Sequence, residues 1–284
     1  MKQILTLIKW RIALLSAVSA TAGALLASPS TVWKISLPVI GTYFLACGAA
    51  ALNQIQERHL DAQMPRTHFR PLPSGEMTLT VAKIIAGGFL LTGLGALVLT
   101  GNMLTVILGV GAVLSYNALY TPLKRITPWA SVIGAVVGAF APSIGWTGCG
   151  GAANGPALFA LIIFFVVWQV PHFWLLFFRT EREYAAAGLP VLTDKLNLTR
   201  LKRVTVVWIL ATATLGLLLP LFGAIQHLAV AITLAVVAVW LAWSTRGILS
   251  PAPRADRQAF AAINAFAVTL LGAIIFEQVW RSRS

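Results

Sequence analysis

The chain reads as an all-α, polytopic membrane helix bundle of about nine transmembrane helices with a cytoplasmic N-terminus, and three observations predict this. Hydrophobic residues make up 58% of its 284 residues and charged residues 10%, with a mean hydropathy of +0.83, whereas a soluble domain carries roughly 25% charged residues. Apolar runs near the ~20 residues that span a bilayer follow one another with short gaps. The charge is also one-sided. With those runs taken as spans, all of the 21 Lys and Arg except Lys34, Arg281 and Arg283 fall on one side, the positive-inside pattern. The net charge of +13 therefore suits the lipid bilayer and anionic substrates, and no nucleic acid is expected as a partner.

The runs are residues 12–28, 35–55, 79–99, 102–119, 128–147, 157–178, 203–222, 226–245 and 258–279. The start, MKQILTLIKWR, is short and has no small-residue cleavage site, so neither a removed signal peptide nor a transit peptide is expected. On the far side, Pro29-Ser30, Gly101-Asn102, residues 148–155 and Gly223 make short or glycine-rich connectors. The loops after the second and sixth runs are long and charge-rich. They lie four spans apart, which suggests a distant internal repeat with a site between two similar halves. Residues 1–284 read as one domain. Cys47 and Cys149 have no partners at metal-ligand spacing, and a disulfide between spans is not expected.

The first polar loop begins on a helix. Asn53, Glu57 and Asp61 stand four residues apart, so on a helix that drifts about 40° per step they share one face. Oxygen donors of this kind suit Mg²⁺, and Arg66 and Arg70 just beyond could clamp phosphate. The competing reading is a polar loop that anchors helices among headgroups. Arg58 reads as such an anchor, and His59 and His68 as solvated side chains. Pro65, Pro71 and Pro73 stop the helix and stiffen the loop.

The fourth run ends in Tyr116-Asn-Ala-Leu-Tyr120-Thr-Pro-Leu-Lys124-Arg125. This is either an aromatic belt with basic anchors or a second set of phosphate donors. In the sixth run, Trp168-Gln169-Val-Pro171-His172-Phe173-Trp174 holds polar groups at membrane depth among aromatic rings, with Arg179, Glu181 and Glu183 following. Pro171 is expected to kink or open the helix. His172 is either a packed histidine or a polar or axial contact in a pocket for a large flat ligand. Gly134-x-x-x-Gly138 permits close helix approach. The last two runs look like scaffold, with Asp256 and Glu277 at the interface.

These motifs resemble those of the UbiA-type intramembrane prenyltransferases. Asn53-x-x-x-Glu57-Arg58-x-x-Asp61-x-x-Met64-x-Arg66-Thr67-x-x-Arg70-Pro71-Leu72 is similar to the first acidic motif of that superfamily. The segments Tyr120-Thr121-x-Leu123-Lys124-Arg125, Gly138-Ala139-x-x-Pro142-x-x-Gly145-Trp146, Trp168-Gln169-x-Pro171-His172-Phe173-Trp174 and Tyr184-x-x-Ala187-Gly188-x-Pro190 resemble its protoheme IX farnesyltransferase branch. The chain departs from that pattern at Glu183, where the branch usually has Asp, at Arg179, where it usually has Lys, and at Ala141, where it often has Pro.

The resemblance implies transfer of a farnesyl group from farnesyl diphosphate to a vinyl group of haem B, with addition of water, to give haem O. It implies Mg²⁺ on Asn53, Glu57, Asp61 and Glu183. Diphosphate would be held by Arg66, Arg70, Lys124, Arg125 and Arg179, with Tyr116 and Tyr120 at the reacting end. Trp168, Gln169, His172 and Trp174 would face the porphyrin. Asp61, Glu57, Tyr120 and Lys124 would be the catalytic group. The implied location is the cell inner membrane with the site toward the cytoplasm. Haem A synthase or terminal oxidase assembly are the implied partners. Rival readings are a prenyltransferase acting on a quinone precursor or chlorophyllide, a transporter of an anionic metabolite, and a non-catalytic haem assembly protein.

Overall fold

The computed structural model describes residues 1–27, 32–249 and 253–282, so the Pro29-Ser30 connector and Arg283 lie outside the described residues. Within them, nine helices are long and apolar enough to cross a membrane. They are α1 (Trp10–Ala27), α2 (Trp33–Asp61), α3 (Leu79–Val98), α4 (Met103–Leu123), α5 (Ala130–Gly148), α6 (Pro156–Ala186), α7 (Leu198–Phe222), α8 (Leu228–Leu249) and α9 (Ala255–Arg281). No strand occurs among the described residues. The protein is a multi-pass membrane protein of the all-α class, as its composition requires.

Two helices outrun their apolar runs. The backbone ladder of α2 continues to Asp61 although the run ends at residue 55, and α6 reaches Ala186 although its run ends at residue 178. Composition marks where lipid contact stops, but the i→i−4 hydrogen bonds continue beyond it. These extensions carry Glu57, Asp61 and Glu183. Pro171 does not open α6, since the helix is continuous through it. A proline is tolerated inside a spanning helix where neighbours satisfy the freed carbonyl.

α2 lies along α3, α1 along the second half of α5, α6 along α7, and α8 along α9. α9 also packs on α1 and α6, which closes the ring. The largest core cluster joins α6 to α9 around Phe164 and Phe266, both fully buried, with ring centroids 6.2 Å apart. α1 and α5 meet backbone to backbone. A Cβ on Gly145 would stand 1.9 Å from Ala20 O, and one on Gly23 would stand 2.0 Å from Pro142 O. In lipid, where no hydrophobic effect drives helices together, such close packing supplies much of the association energy.

Gly134 and Gly138 serve differently from the helix-approach reading. A Cβ at Gly134 would meet the Tyr120 ring at 2.5 Å, and one at Gly138 would meet Gln169 Oε1 at 2.3 Å. They make room for side chains. Glu277 is fully buried, and its carboxylate accepts from the backbone N–H groups of Gln226 and His227, in the connector before α8, at 3.0 and 3.2 Å. Asp256 pairs with Lys202 at 3.4 Å.

Gly145→Val is expected to separate α1 from α5 and to cost about 1–3 kcal/mol as an overpacked contact. Gly87→Ala, where nothing lies within 4 Å of the added atom, should be neutral. Thermal unfolding in detergent compares the two, and equal midpoints would remove the α1–α5 contact from the stability argument.

Candidate active site

The charged ends of α2, α4 and α6 build one site. Asn53, Glu57 and Asp61 are buried at 2%, 3% and 4% exposure, so the acidic face of α2 points into the bundle rather than toward headgroups. Each meets a partner from another segment. Glu57 pairs with Lys124 at the end of α4. Asp61 accepts from Arg70 Nη1 through both oxygens at 2.8 Å. Asn53 Oδ1 accepts from Lys9 Nζ at 3.2 Å, and Asn53 Nδ2 donates to Thr121 Oγ1 at 3.1 Å.

The loop after α2 folds back to make the Asp61 pair possible. Thr67 is buried, and its hydroxyl donates to Asp61 O at 2.9 Å. Successive turns from Met64 to Ser74 then bring Arg70 under the helix end. Arg66 reaches across to Glu183 of α6 at 3.7 Å, so the two charge-rich loops meet. Breaking a buried pair by removing one partner costs about 3–5 kcal/mol, because the remaining charge stays desolvated.

α4 reaches the site through an unusual backbone. Residues Leu114–Tyr120 form a π-helical turn, and the Thr121 N–H and hydroxyl both reach Tyr116 O, five residues back. Wide turns of this kind recur at functional sites. Here the turn stacks Tyr116 on Tyr120, with centroids 5.8 Å apart and planes at 14°. Tyr120 in turn stacks on Phe173 of α6 at 5.8 Å and 11°. Asn117, buried in the same turn, donates to Ala49 O and Gln56 Oε1 at 3.0 and 3.2 Å and ties α4 to α2. Arg125 Nη2 donates to Gln56 O at 3.0 Å and belongs to that tie.

The aromatic row continues to His172, whose ring centroid is 5.8 Å from Phe173 and 4.8 Å from Trp168. Gln169 packs on Gly138. Trp174 does not join the row. Two residues along a helix is a turn of about 200°, and Trp174 is buried on the far side, its Nε1 donating to Ser131 Oγ at 3.2 Å. The expectation that it flanks a ligand beside His172 is therefore corrected. Arg179 is exposed and stands 6.0 Å from the Phe260 ring, against the aromatic wall and apart from the acidic face.

Lys9 was not expected in the site. Its backbone φ of 47° lies in the left-handed region, a strained setting for lysine. Gln54 holds this bend by donating to Thr6 O and Leu7 O at 2.8 and 2.9 Å. Burial, and next the neighbouring Arg70, pull the Lys9 ammonium down to about 8. The signal in the sequence was a lysine immediately before the first span, which composition alone assigns to the positive-inside pattern.

Two carboxylates and a carboxamide oxygen make a hard donor set that fits a cation completing its shell with water and phosphate. Glu183 Oε2, which faces Arg66 Nε at 3.7 Å, makes no hydrogen bond. Among the described residues, no three His, Cys, Asp or Glu side chains are grouped to hold an ion by themselves. His59 and His68 are exposed, and His68 Nδ1 bonds Pro65 O at 2.8 Å.

The description of the UbiA prenyltransferase family matches residues 16–270. The chain belongs to the UbiA prenyltransferase family. Among other family members, the protoheme IX farnesyltransferase of Geobacter sulfurreducens is 39% identical over 271 residues, covering 93% of this chain and 95% of the relative. That of Nitratidesulfovibrio vulgaris is 37% identical over 220 residues, covering 78% and 77%. Two solved structures share the fold. A digeranylgeranylglyceryl phosphate synthase superposes with a TM-score of 0.78 at 18% identity over 98% of both chains. A UbiA homologue from Archaeoglobus fulgidus bound to GPP and Mg²⁺ superposes with a TM-score of 0.69 at 16% identity, over 96% of this chain and 99% of that one. As a UbiA prenyltransferase, the chain presents cations, hard oxygen donors and an aromatic wall at one end of its bundle. That combination can bind a diphosphate and shield a cation from water.

Lys124→Met is expected to destabilise the protein by about 3 kcal/mol by leaving Glu57 without its cation. Adding Glu57→Gln should restore most of the loss. A double-mutant cycle of unfolding midpoints in detergent checks this, and strictly additive losses would mean that the pair contributes nothing.

Proposed function

We propose that this prenyltransferase joins the farnesyl group of farnesyl diphosphate to a vinyl group of haem B, with addition of water, to give haem O. The names of the relatives at 36–39% identity support the acceptor and the donor. The observation that carries the reading is the continuity of the site. A cationic and acidic cluster leads directly into the row Tyr116, Tyr120, Phe173, His172. A diphosphate and a flat apolar acceptor can thus lie side by side.

Arg66, Arg70, Lys9 and Lys124 bind the diphosphate, with Arg125 fixing the α4 end that carries Lys124. As the carbon–oxygen bond of farnesyl diphosphate breaks, the electron pair leaves with the diphosphate, and these cations neutralise the growing charge. The tyrosine faces stabilise the allylic cation. The vinyl π bond attacks that cation. The new cation beside the porphyrin takes up water and releases one proton, so haem B, farnesyl diphosphate and water give haem O, diphosphate and H⁺. Asn53, Glu57, Asp61 and Glu183 would hold Mg²⁺, which supplies Lewis-acid neutralisation of the leaving group. Arg70 and Lys124 pair with the carboxylates of Asp61 and Glu57. On substrate binding they turn to the phosphate oxygens.

The enzyme is a single catalytic unit over 1–284 in the cell inner membrane. The one-sided Lys and Arg support a cytoplasmic N-terminus and a site facing the cytoplasm.

Purified protein in detergent, given haem B, farnesyl diphosphate and Mg²⁺, should yield by mass spectrometry a haem heavier by farnesyl plus water. Chelation should abolish the product. Asp61→Asn should lower turnover by about 10²-fold or more while the protein stays folded, the range for losing transition-state charge stabilisation. Near-normal turnover in that variant would remove Asp61 from the metal site. Prenylation of a quinone precursor and not of haem would overturn the acceptor.

A further inference from the structure

α9 reads as scaffold in the sequence, yet it supplies the partner of His172. His172 Nδ1 lies 2.9 Å from Asn264 Oδ1, and Asn264 Nδ2 donates to Phe260 O at 2.6 Å, one turn back. The second bond decides the first. A backbone carbonyl can only accept, so the amide nitrogen must face Phe260 and the amide oxygen must face the imidazole. That oxygen also only accepts, so neutral His172 carries its proton on Nδ1 and a lone pair on Nε2. Nε2 sits on the side of the ring away from Asn264, and no bond to it occurs among the described residues.

The ring is also held in place. Trp168 lies at 4.8 Å and Phe260 at 5.1 Å, and Trp168 is anchored by its Nε1 donating to Ile263 O at 3.1 Å. A fixed ring, a fixed tautomer and a lone pair that makes no hydrogen bond are what the second shell of a metal-ligating histidine provides.

The geometry points to His172 Nε2 as the axial ligand of the iron of bound haem, with Asn264 as its positioning residue. This rests on the haem reading above and extends it. Arg179 is seven residues further along α6, roughly 10 Å along the axis toward the charged end. Exposed beside Phe260, it meets the carboxylate edge of a porphyrin whose iron is at His172.

The test is resonance Raman spectroscopy of the purified protein loaded with haem B and reduced. The wild-type chain should show an iron–histidine stretching band. His172→Ala should lose it while still binding haem, and added imidazole should restore it. Asn264→Asp, a stronger acceptor, should move the band to higher frequency, and Asn264→Leu should move it to lower frequency. A merely structural asparagine would not shift the band in opposite directions. A band that persists in His172→Ala, or that both Asn264 variants leave unmoved with haem bound, overturns the assignment. A wild-type protein that binds no haem but prenylates another acceptor overturns the haem reading itself, a result distinct from loss of the ligand alone.

Discussion

The site depends on two carboxylates, Glu57 and Asp61, buried inside a helix bundle at the edge of a membrane. A buried charged group is costly unless it is paired and hydrogen-bonded. Each is satisfied by a cation from a different segment, Lys124 from α4 and Arg70 from the loop after α2. These pairs therefore do two things. They fasten α2 to its surroundings, and they gather at the end of α2 the cations to which we assign the diphosphate. Lys9 adds a third cation from before α1, so the positive charge exceeds the two acids it surrounds.

The rest of the site is shaped around that arrangement. The α4 turn that delivers Lys124 is held to α2 by Asn117, Gln56 and Thr121. Space for its aromatic face comes from α5, where Gly134 has no side chain opposite Tyr120. Packing and chemistry are thus the same contacts seen from two sides.

Much of this was legible in the sequence, for identifiable reasons. Spans follow from composition, and the shared face of Asn53, Glu57 and Asp61 follows from helical spacing. Arg66 and Glu183 meet across loops that both read as charge-rich. What could not be read depends on three-dimensional neighbours. Nothing in the order of residues says that Asn264 bonds a histidine 92 positions earlier in the chain. Trp174 looks equivalent to Trp168 in an aromatic motif, and only the angle around α6 separates the ring that lies against His172 from a core ring. Lys9 was not singled out because its backbone bend leaves no mark in composition. The helices α2 and α6 run past their apolar stretches because apolarity, unlike hydrogen bonding, stops at the membrane edge.

The π-helical turn in α4 has a consequence for how related chains are compared. A turn that returns at the fifth residue holds one residue more than an α-helical turn, which amounts to an insertion absorbed without a loop. A relative with a regular helix at this place would need a one-residue gap in any alignment, inside a segment where gaps are ordinarily disallowed. Without that gap, every correspondence on one side of the turn slips by about 100°.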